Sequence, residues 1–241
     1  MKVCIIIPAR LESTRLHHKA LADINGKPMI LHVIDRANES QLGNVYVAAG
    51  NQEIVDVVEA AGEKAILTDP ALPSGTDRIE AILDIIDPNE ELNIVIGLQG
   101  DSPIINPSVL KRIIAPFMED VRIDMTTAIK KMKKGDVKKQ SKVKAVVSLS
   151  TDRGSGRAVY FSRNIVPLKP PYWHHLGIYA FRRKALKKFV TLPQGYLEKN
   201  EGLEQLRALE NGFWMECVIV ASESISVDTQ EDLDKVRKLL K

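Results

Sequence analysis

Lys2-Val3-Cys4-Ile5-Ile6-Ile7-Pro8, running on into Ala9-Arg10-Leu11-Glu12-Ser13-Thr14-Arg15-Leu16-His17-His18-Lys19, is the stretch that decides the fold. The apolar run is short, rich in branched residues and stopped by Pro8, which suits a strand buried on both faces. Such a strand is central. Behind it come three cations, Arg10, Arg15 and Lys19, with the hydroxyls of Ser13 and Thr14 between them. In an open α/β sheet, ligands sit beyond the carboxyl ends of the strands. Interleaved cations and hydroxyls meet the charge and donor needs of phosphate oxygens. A solvated basic loop is the competing reading, and the strand before the loop sets a phosphate site beside it as an equal alternative.

Outward from this stretch the chain alternates strand and helix. Asp23-Ile24-Asn25-Gly26-Lys27-Pro28 is turn chemistry, with Pro28 suited to the first turn of a helix. The spacing predicts a helix over 29–40, a strand over 45–49, a helix over 52–61 and a short strand over 65–67. That order is the signature of a parallel sheet with helices on its faces. Pro73-Ser74-Gly75-Thr76-Asp77-Arg78 then leads into an apolar-periodic helix ending at Ile86. Ser74 or Thr76 can cap it, and the start is either a plain capped turn or an anion- or base-binding one. A strongly apolar strand over 93–98 ends in Gln99-Gly100-Asp101-Ser102-Pro103. Gly100 permits close backbone approach. Asp101 either opens a turn before Pro103 or presents a carboxylate to Mg²⁺, which takes one or two protein carboxylates together with substrate phosphates and waters.

The middle third breaks the rhythm. A helix is expected over 107–118 and a strand over 123–129. Eight lysines follow at 130, 131, 133, 134, 138, 139, 142 and 144, opposed only by Asp136. No aromatic residue interleaves to stack bases, so the run reads as a solvated connecting segment rather than a nucleic-acid patch. Strands over 143–149, 158–162 and 175–181, with a turn at 152–156 and a break at 167–171, are expected to pair antiparallel. Helices over 182–190 and 201–210, the second ended by Asn211-Gly212, precede a strand over 214–220 and a last helix over 230–240. Asp228 or Thr229 caps that helix, or Asp228 is a second metal carboxylate; spacing leaves both open.

Length and composition narrow the class. The chain has 241 residues, enough for one large domain or one with a subdomain. Hydrophobic residues make up 44% and charged residues 27%, as in globular proteins, and a net charge of +3 does not by itself imply nucleic acid. Cys4 and Cys217 have no metal-ligand spacing and read as small buried residues of a reducing, cytosolic compartment. No stretch approaches the length of a membrane span, and no signal pattern opens the chain. A P-loop, a dinucleotide fingerprint, a nucleophile elbow and a zinc-protease helix are all missing. A cationic strand-end loop, the Ser-Gly-Thr-Asp-Arg turn, an Asp after a central strand and a late Asp together suit a nucleoside triphosphate with Mg²⁺.

Ile7-Pro8-Ala9-Arg10, Ser13-Thr14-Arg15-Leu16, Lys19 and Asp23 through Ile30 resemble the opening of the 3-deoxy-manno-octulosonate cytidylyltransferases. The resemblance continues, in family order, through Ser74-Gly75-Thr76-Asp77-Arg78, Gln99-Gly100-Asp101, Tyr160-Phe161-Ser162-Arg163, His175-Leu176-Gly177-Ile178-Tyr179, Leu203-Glu204-Gln205-Leu206-Arg207 and Val227-Asp228-Thr229. It covers nearly the whole chain. It implies an α/β fold, a doubly wound, mostly parallel nucleotidyltransferase sheet in a single domain over 1–241. An antiparallel segment over about 130–182 would make a homodimer contact. It implies CMP transfer from CTP to the sugar acid for lipopolysaccharide. By the same resemblance Arg10, Ser13, Arg15 and Lys19 take the triphosphate, Lys19 and Arg15 acting on the transferring phosphate. Ser74, Gly75 and Arg78 take the cytidine, Asp101 and Asp228 hold Mg²⁺, and Gln99, Arg163, His175, Tyr179, Glu204 and Gln205 face the sugar acid. The chain departs from the family's usual residues at His17-His18 (usually Pro-Gly), Pro73, Ser102 (usually Glu) and Ser141 (usually Asn).

Overall fold

The structure, a computed structural model, describes residues 1–12, 16–149, 154–221 and 225–241. The chain divides into two compact units, one of residues 1–110 with 223–241 and the other of 111–222. In chain order the first unit holds β1 (Val3–Ala9), the two-residue strands β2 (Asp23–Ile24) and β3 (Lys27–Pro28), α1 (Met29–Glu39), β4 (Asn44–Ala49), α2 (Gln52–Ala60), β5 (Ala65–Leu67), α3 (Gly75–Ile86), β6 (Ile94–Gly97) and the start of α4 (Pro107–Ile114). The second holds α5 (Pro116–Glu119), β7 (Met125–Lys131), β8 (Lys144–Leu149), β9 (Ser155–Ser162), β10 (Trp173–Arg182), α6 (Arg183–Val190), α7 (Tyr196–Glu201), α8 (Gln205–Glu210) and β11 (Met215–Ile219). The chain returns to the first unit with α9 (Gln230–Leu239).

In the first unit β1 is central. It pairs parallel with β4 on one side and with β6 on the other, and β5 extends β4, also parallel. Ile5, Ile6 and Ile7 are completely buried, as are Ile94, Val95 and Ile96. A strand covered on both faces has no polar side to show, which is why its sequence reads as an unbroken apolar run. The helices close over the sheet with the stripes their spacing gives them. Met29, Ile30, Val33, Ile34 and Ala37 form the buried face of α1. α9 is held by a separate small core in which Val227, Leu233 and Val236 pack with Ile24 and Met29.

The second unit is a mixed sheet. β7 pairs antiparallel with β10 and parallel with β11, β11 antiparallel with β9, and β9 antiparallel with β8. Trp173 and His174 of β10 also pair with Ala145 and Lys144 of β8, so the five strands close on themselves. The expected antiparallel pairing is present, and the β7–β11 pair is a parallel exception within it.

Three expectations need correcting. The helix expected over 107–118 is two helices, α4 and α5, because Pro116 has no amide hydrogen to continue the first. The helix expected from Glu201 begins only at Gln205. Before it the chain makes α7, which Gly202 ends in the left-handed region at φ 62°. The lysine run is not wholly solvated. Lys144 is completely buried in β8, and its ammonium donates to the carbonyls of Lys139 and Arg163, each at 2.8 Å. Burial, and secondarily the charge of Arg163, lowers its pKa. Nearer the surface, Lys139 and Lys142 pair with Asp136, and their hydrogen bonds hold that carboxyl down to about 2.

Candidate active site

Beyond the carboxyl ends of β1 and β6, the first unit encloses a cavity of about 370 Å³. Arg10, Lys19, Ser74, Gly75, Arg78, Gln99, Asp101 and Asp228 all line it. These eight residues were singled out from the sequence, and the fold brings them to one place. Ser13 and Arg15 lie outside the described residues.

Lys19 stands at the centre of the polar part. Its Nζ donates to Asp101 Oδ2 at 2.7 Å and to Asp228 Oδ1 at 3.2 Å. Burial works against the ammonium, but attraction from Asp101 and Asp228, with the hydrogen bonds to both, outweighs it and raises the Lys19 pKa. Local structure explains why the three meet. His18, just before Lys19, has φ 50°, the left-handed region that favours glycine, and it turns the chain into the short helix that carries Lys19. Gly100 lets the segment before Asp101 pass close to β1, since a Cβ there would lie 3.2 Å from the Pro8 carbonyl oxygen. The amide of Val227 donates to the Asp101 carbonyl at 2.9 Å, which ties the two acidic segments together. Thr229 caps α9 in a reciprocal box with Asp232, so the late Asp is not the cap and its carboxylate reaches Lys19 instead.

The opposite wall is built on α3. Ser74 caps this helix, its hydroxyl oxygen accepting from the amides of Thr76 and Asp77. Arg78 is buried, donating to Thr68 Oγ1 at 2.8 Å and to the Asp69 carbonyl at 2.9 Å. Burial first, and the nearby charge of Arg10 second, lowers its pKa. Gly50 leaves room for this guanidinium, for a Cβ there would lie 3.0 Å from Arg78 Nη1. Sequence reasoning missed Glu12, which also lines the cavity, and Asn51, which braces the loop after β1. The Asn51 side chain accepts from the Leu11 amide at 2.9 Å and donates to Glu12 Oε1 at 3.0 Å. The one available signal was the position of Asn51 just before a helix, and there it reads as a cap. In the structure it makes no side-chain cap bond.

Arg163, His175, Tyr179, Glu204 and Gln205 belong to the second unit. His175, Tyr179 and Gln205 form one cluster. The His175 ring is buried, with Phe161 at 4.9 Å and Tyr179 at 5.4 Å between ring centres. Residues four apart on a regular strand would be separated by about 13 Å. A bulge between His175 and Tyr179 removes that distance, and Gly177, at φ 68°, makes the turn. His175 Nε2 lies 2.9 Å from Thr127 Oγ1, and its Nδ1 lies 3.5 Å from Gln205 Nε2. Burial, then the charge of Glu204, pushes the Tyr179 hydroxyl well above its usual pKa. Arg163 stands apart from this cluster in character. It is exposed, and its guanidinium donates to the carbonyls of Gln140 at 3.3 Å and Gly202 at 3.5 Å.

His174 and His175 make stability depend on acid. Burial, with the neighbouring lysine charges, depresses His174 to about 4, and burial depresses His175 to about 3. The unfolded chain protonates both near the ordinary value of 6.5 while the folded chain holds them neutral, so the unfolded state binds more protons in that window. Stability is therefore expected to fall as pH drops from about 6.5 towards about 4, with a slope approaching 1.4 kcal/mol per unit per histidine. Urea unfolding at stepped pH measures it; the Phe substitution of His175 should flatten the curve.

Comparison with known proteins agrees with this geometry. The sequence pattern of the family described as cytidylyltransferase matches residues 4–231. A 3-deoxy-manno-octulosonate cytidylyltransferase from Paramagnetospirillum magneticum is 44% identical over 239 residues, covering 98% of this chain and 97% of that protein. Its counterpart from Rhodospirillum rubrum is 45% identical over 238 residues, covering 98% and 94%. The solved structure of a CMP:2-keto-3-deoxy-manno-octonic acid synthetase complexed with CTP superposes with a TM-score of 0.91 at 37% identity, covering 100% of this chain and 98% of the other. The α/β nucleotidyltransferase fold expected from the sequence is thus the fold of the chain. Matched over residues 4–231 by the family's pattern and by relatives 44% and 45% identical over nearly its whole length, the chain belongs to the cytidylyltransferase family, among the 3-deoxy-manno-octulosonate cytidylyltransferases.

Proposed function

We propose that the protein transfers CMP from CTP to 3-deoxy-manno-octulosonate. The anomeric hydroxyl of the sugar acid attacks the α-phosphorus, a new C–O–P bond forms, the α–β anhydride bond breaks and pyrophosphate leaves. The product, CMP-3-deoxy-manno-octulosonate, serves lipopolysaccharide synthesis. The observation that carries this reading is the meeting of Lys19 with Asp101 and Asp228 in a cavity lined by two further cations, Arg10 and Arg78. Such a step asks for positioning and charge stabilisation rather than a covalent intermediate. Arg10 and Lys19, with Ser13 and Arg15 by resemblance, take the triphosphate; Lys19 and Arg15 neutralise charge at the transferring phosphate. Ser74, Gly75 and Arg78 hold the cytidine. By the same resemblance Gln99, Arg163, His175, Tyr179, Glu204 and Gln205 take the sugar acid, with the Arg163 cation meeting its carboxylate.

The donor set fits Mg²⁺. Asp101 and Asp228 are hard oxygen ligands that already converge on one positive charge, the Lys19 ammonium. Two carboxylates are the usual protein share of a Mg²⁺ shell completed by phosphates and water. When bound there the ion would polarise the phosphate and favour ionisation of the attacking hydroxyl. The working form is a homodimer formed through the segment over about 130–182, where Leu149, Val159, Ile165 and Leu168 are exposed. The two buried free cysteines suit a cytoplasmic setting, and among the described residues no helix is long and apolar enough to cross a membrane. Neither nucleic acid nor membrane is a partner.

The test is pyrophosphate release with CTP, Mg²⁺ and a panel of sugar acids. Release with 3-deoxy-manno-octulosonate, lost when Asp101 is replaced by Ala, is expected. Release only with an amino-substituted or phosphorylated acceptor would overturn the substrate. CTP binding without release to any acceptor would overturn the reaction.

A further inference from the structure

We infer that Thr127 is a positioning residue for the sugar acid: its hydroxyl fixes the proton of His175 on Nε2 and, through Nδ1, the orientation of the Gln205 amide. The inference rests on the proposed role of His175 and Gln205. It starts from a count of protons. Thr127 is completely buried on β7, and its Oγ1 lies 2.7 Å from the Ile178 carbonyl oxygen and 2.9 Å from His175 Nε2. A hydroxyl has one proton, and a carbonyl oxygen can only accept. The Thr127 proton therefore goes to Ile178, and a lone pair is what Oγ1 turns towards the ring. His175 must donate from Nε2.

The ring is enclosed by Phe161 and Tyr179 and buried, so it is neutral, and burial holds its pKa near 3. A neutral imidazole with its proton on Nε2 has a lone pair on Nδ1. The group facing Nδ1 is the carboxamide of Gln205, itself buried, at 3.5 Å. Its amide nitrogen can donate to that lone pair, while its oxygen would be repelled by it. The Gln205 carbonyl oxygen is thereby turned away from His175 and offered as an acceptor. One hydroxyl thus settles a tautomer and an amide orientation that the positions of heavy atoms alone do not distinguish.

The bulge in β10 supplies the Ile178 carbonyl. Pairing with β7 runs from His175 opposite Ile129 to Tyr179 opposite Thr127, so four steps on β10 match two on β7. In that slack the Ile178 carbonyl oxygen reaches the Thr127 side chain. With valine at 127 the shape is kept and the proton acceptor is gone. The ring is then free to carry its proton on Nδ1, and the Gln205 amide must turn its oxygen inward to meet it. An acceptor for a sugar hydroxyl is replaced by a donor.

The experiment is ¹⁵N NMR of the histidine side chains in the ligand-free protein, with steady-state kinetics on the same samples. In the wild type, His175 should show a protonated Nε2 and an unprotonated Nδ1. Thr127→Ser should keep this pattern and wild-type kinetics. Thr127→Val should shift the ring towards the other tautomer and raise KM for 3-deoxy-manno-octulosonate about tenfold, the loss of one neutral hydrogen bond, with KM for CTP unchanged. A proton on Nδ1 in the wild type overturns the inference whether or not the valine variant folds. So does a rise in KM with Gln205→Ala that Thr127→Val fails to share. No change with either substitution overturns the sugar-acid reading of the cluster as well.

Discussion

Replacing Lys19 by methionine is expected to lower kcat for pyrophosphate release about 10²- to 10³-fold, the size of loss seen when one preorganised donor is removed from a transition state. Methionine keeps much of the apolar stem and removes the charge together with its N–H donors. In the folded chain the ammonium is held by Asp101 and Asp228 and mostly shielded from water, its side chain 19% exposed. It cannot drift into solvent when the triphosphate arrives, so its field falls on the phosphate oxygens, where charge grows as the α–β bond breaks. An interaction that strengthens on the way to the transition state appears in kcat. KM for CTP should move less, because Arg10 and Arg78 remain. A variant with unchanged kcat and a raised KM for CTP would mean that Lys19 binds ground and transition states alike, and its assigned role would be wrong. The arginine substitution keeps the charge but changes its shape to a planar fork, and it should restore only part of the rate.

The second large effect is on stability. Removing the carboxylate of Glu198 by alanine substitution is expected to cost about 3–5 kcal/mol, because it takes a two-point charged partner away from a buried guanidinium. Glu198 and Arg207 are almost completely enclosed, at 7% and 6% side-chain exposure. They meet as two forks, Arg207 Nε donating to Oε2 at 2.8 Å and Nη2 to Oε1 at 2.7 Å. This bidentate pair joins α7 to α8, and α8 carries Gln205. Urea unfolding should show the loss as a lower midpoint, and KM for the sugar acid should rise with it. Replacing both partners together, Glu198 by Leu and Arg207 by Met, should recover most of the stability, since an apolar pair of similar size leaves no charge stranded. If the single variant lost less than about 1 kcal/mol, the pair would be behaving as a surface ion pair and the burial argument would fail.

What could be read in advance followed from periodicity. The first unit's strands and helices bury whole faces, so β1, β4, β5, β6, α1 and α2 stand within a residue or two of where apolar spacing puts them. Eight cavity residues were legible because strand ends in a parallel sheet gather by topology. The remainder depended on partners far away in the sequence. Spacing left Asp228 open between helix cap and site residue, and only the Thr229–Asp232 box decides it. Lys144 looked like its neighbours in a basic run, because the carbonyls that satisfy its ammonium belong to backbone that no pattern marks. Asn51 carried no signal of its bracing role, since the groups it braces, the Leu11 amide and the Glu12 carboxylate, lie 40 and 39 residues before it. Arg78 had been matched to the cytidine, and nothing in the sequence announced that Thr68 and the Asp69 carbonyl would already hold its guanidinium.

The way β10 closes onto β8 has a consequence for how the molecule behaves in a crowd. An unpaired strand edge is a template on which other chains can add, and proteins guard such edges with charge, shortness or cover. In the second unit β8 would be the last strand of an open row, yet its first residues, Lys144 and Ala145, pair with His174 and Trp173. Among the described residues, the part of β8 left to a neighbouring chain runs from Val146 to Leu149. In the first unit the outer strand on the β4 side, β5, is only three residues long. Both stretches are short, four residues on β8 and three on β5, and so leave little template for sheet-to-sheet capture.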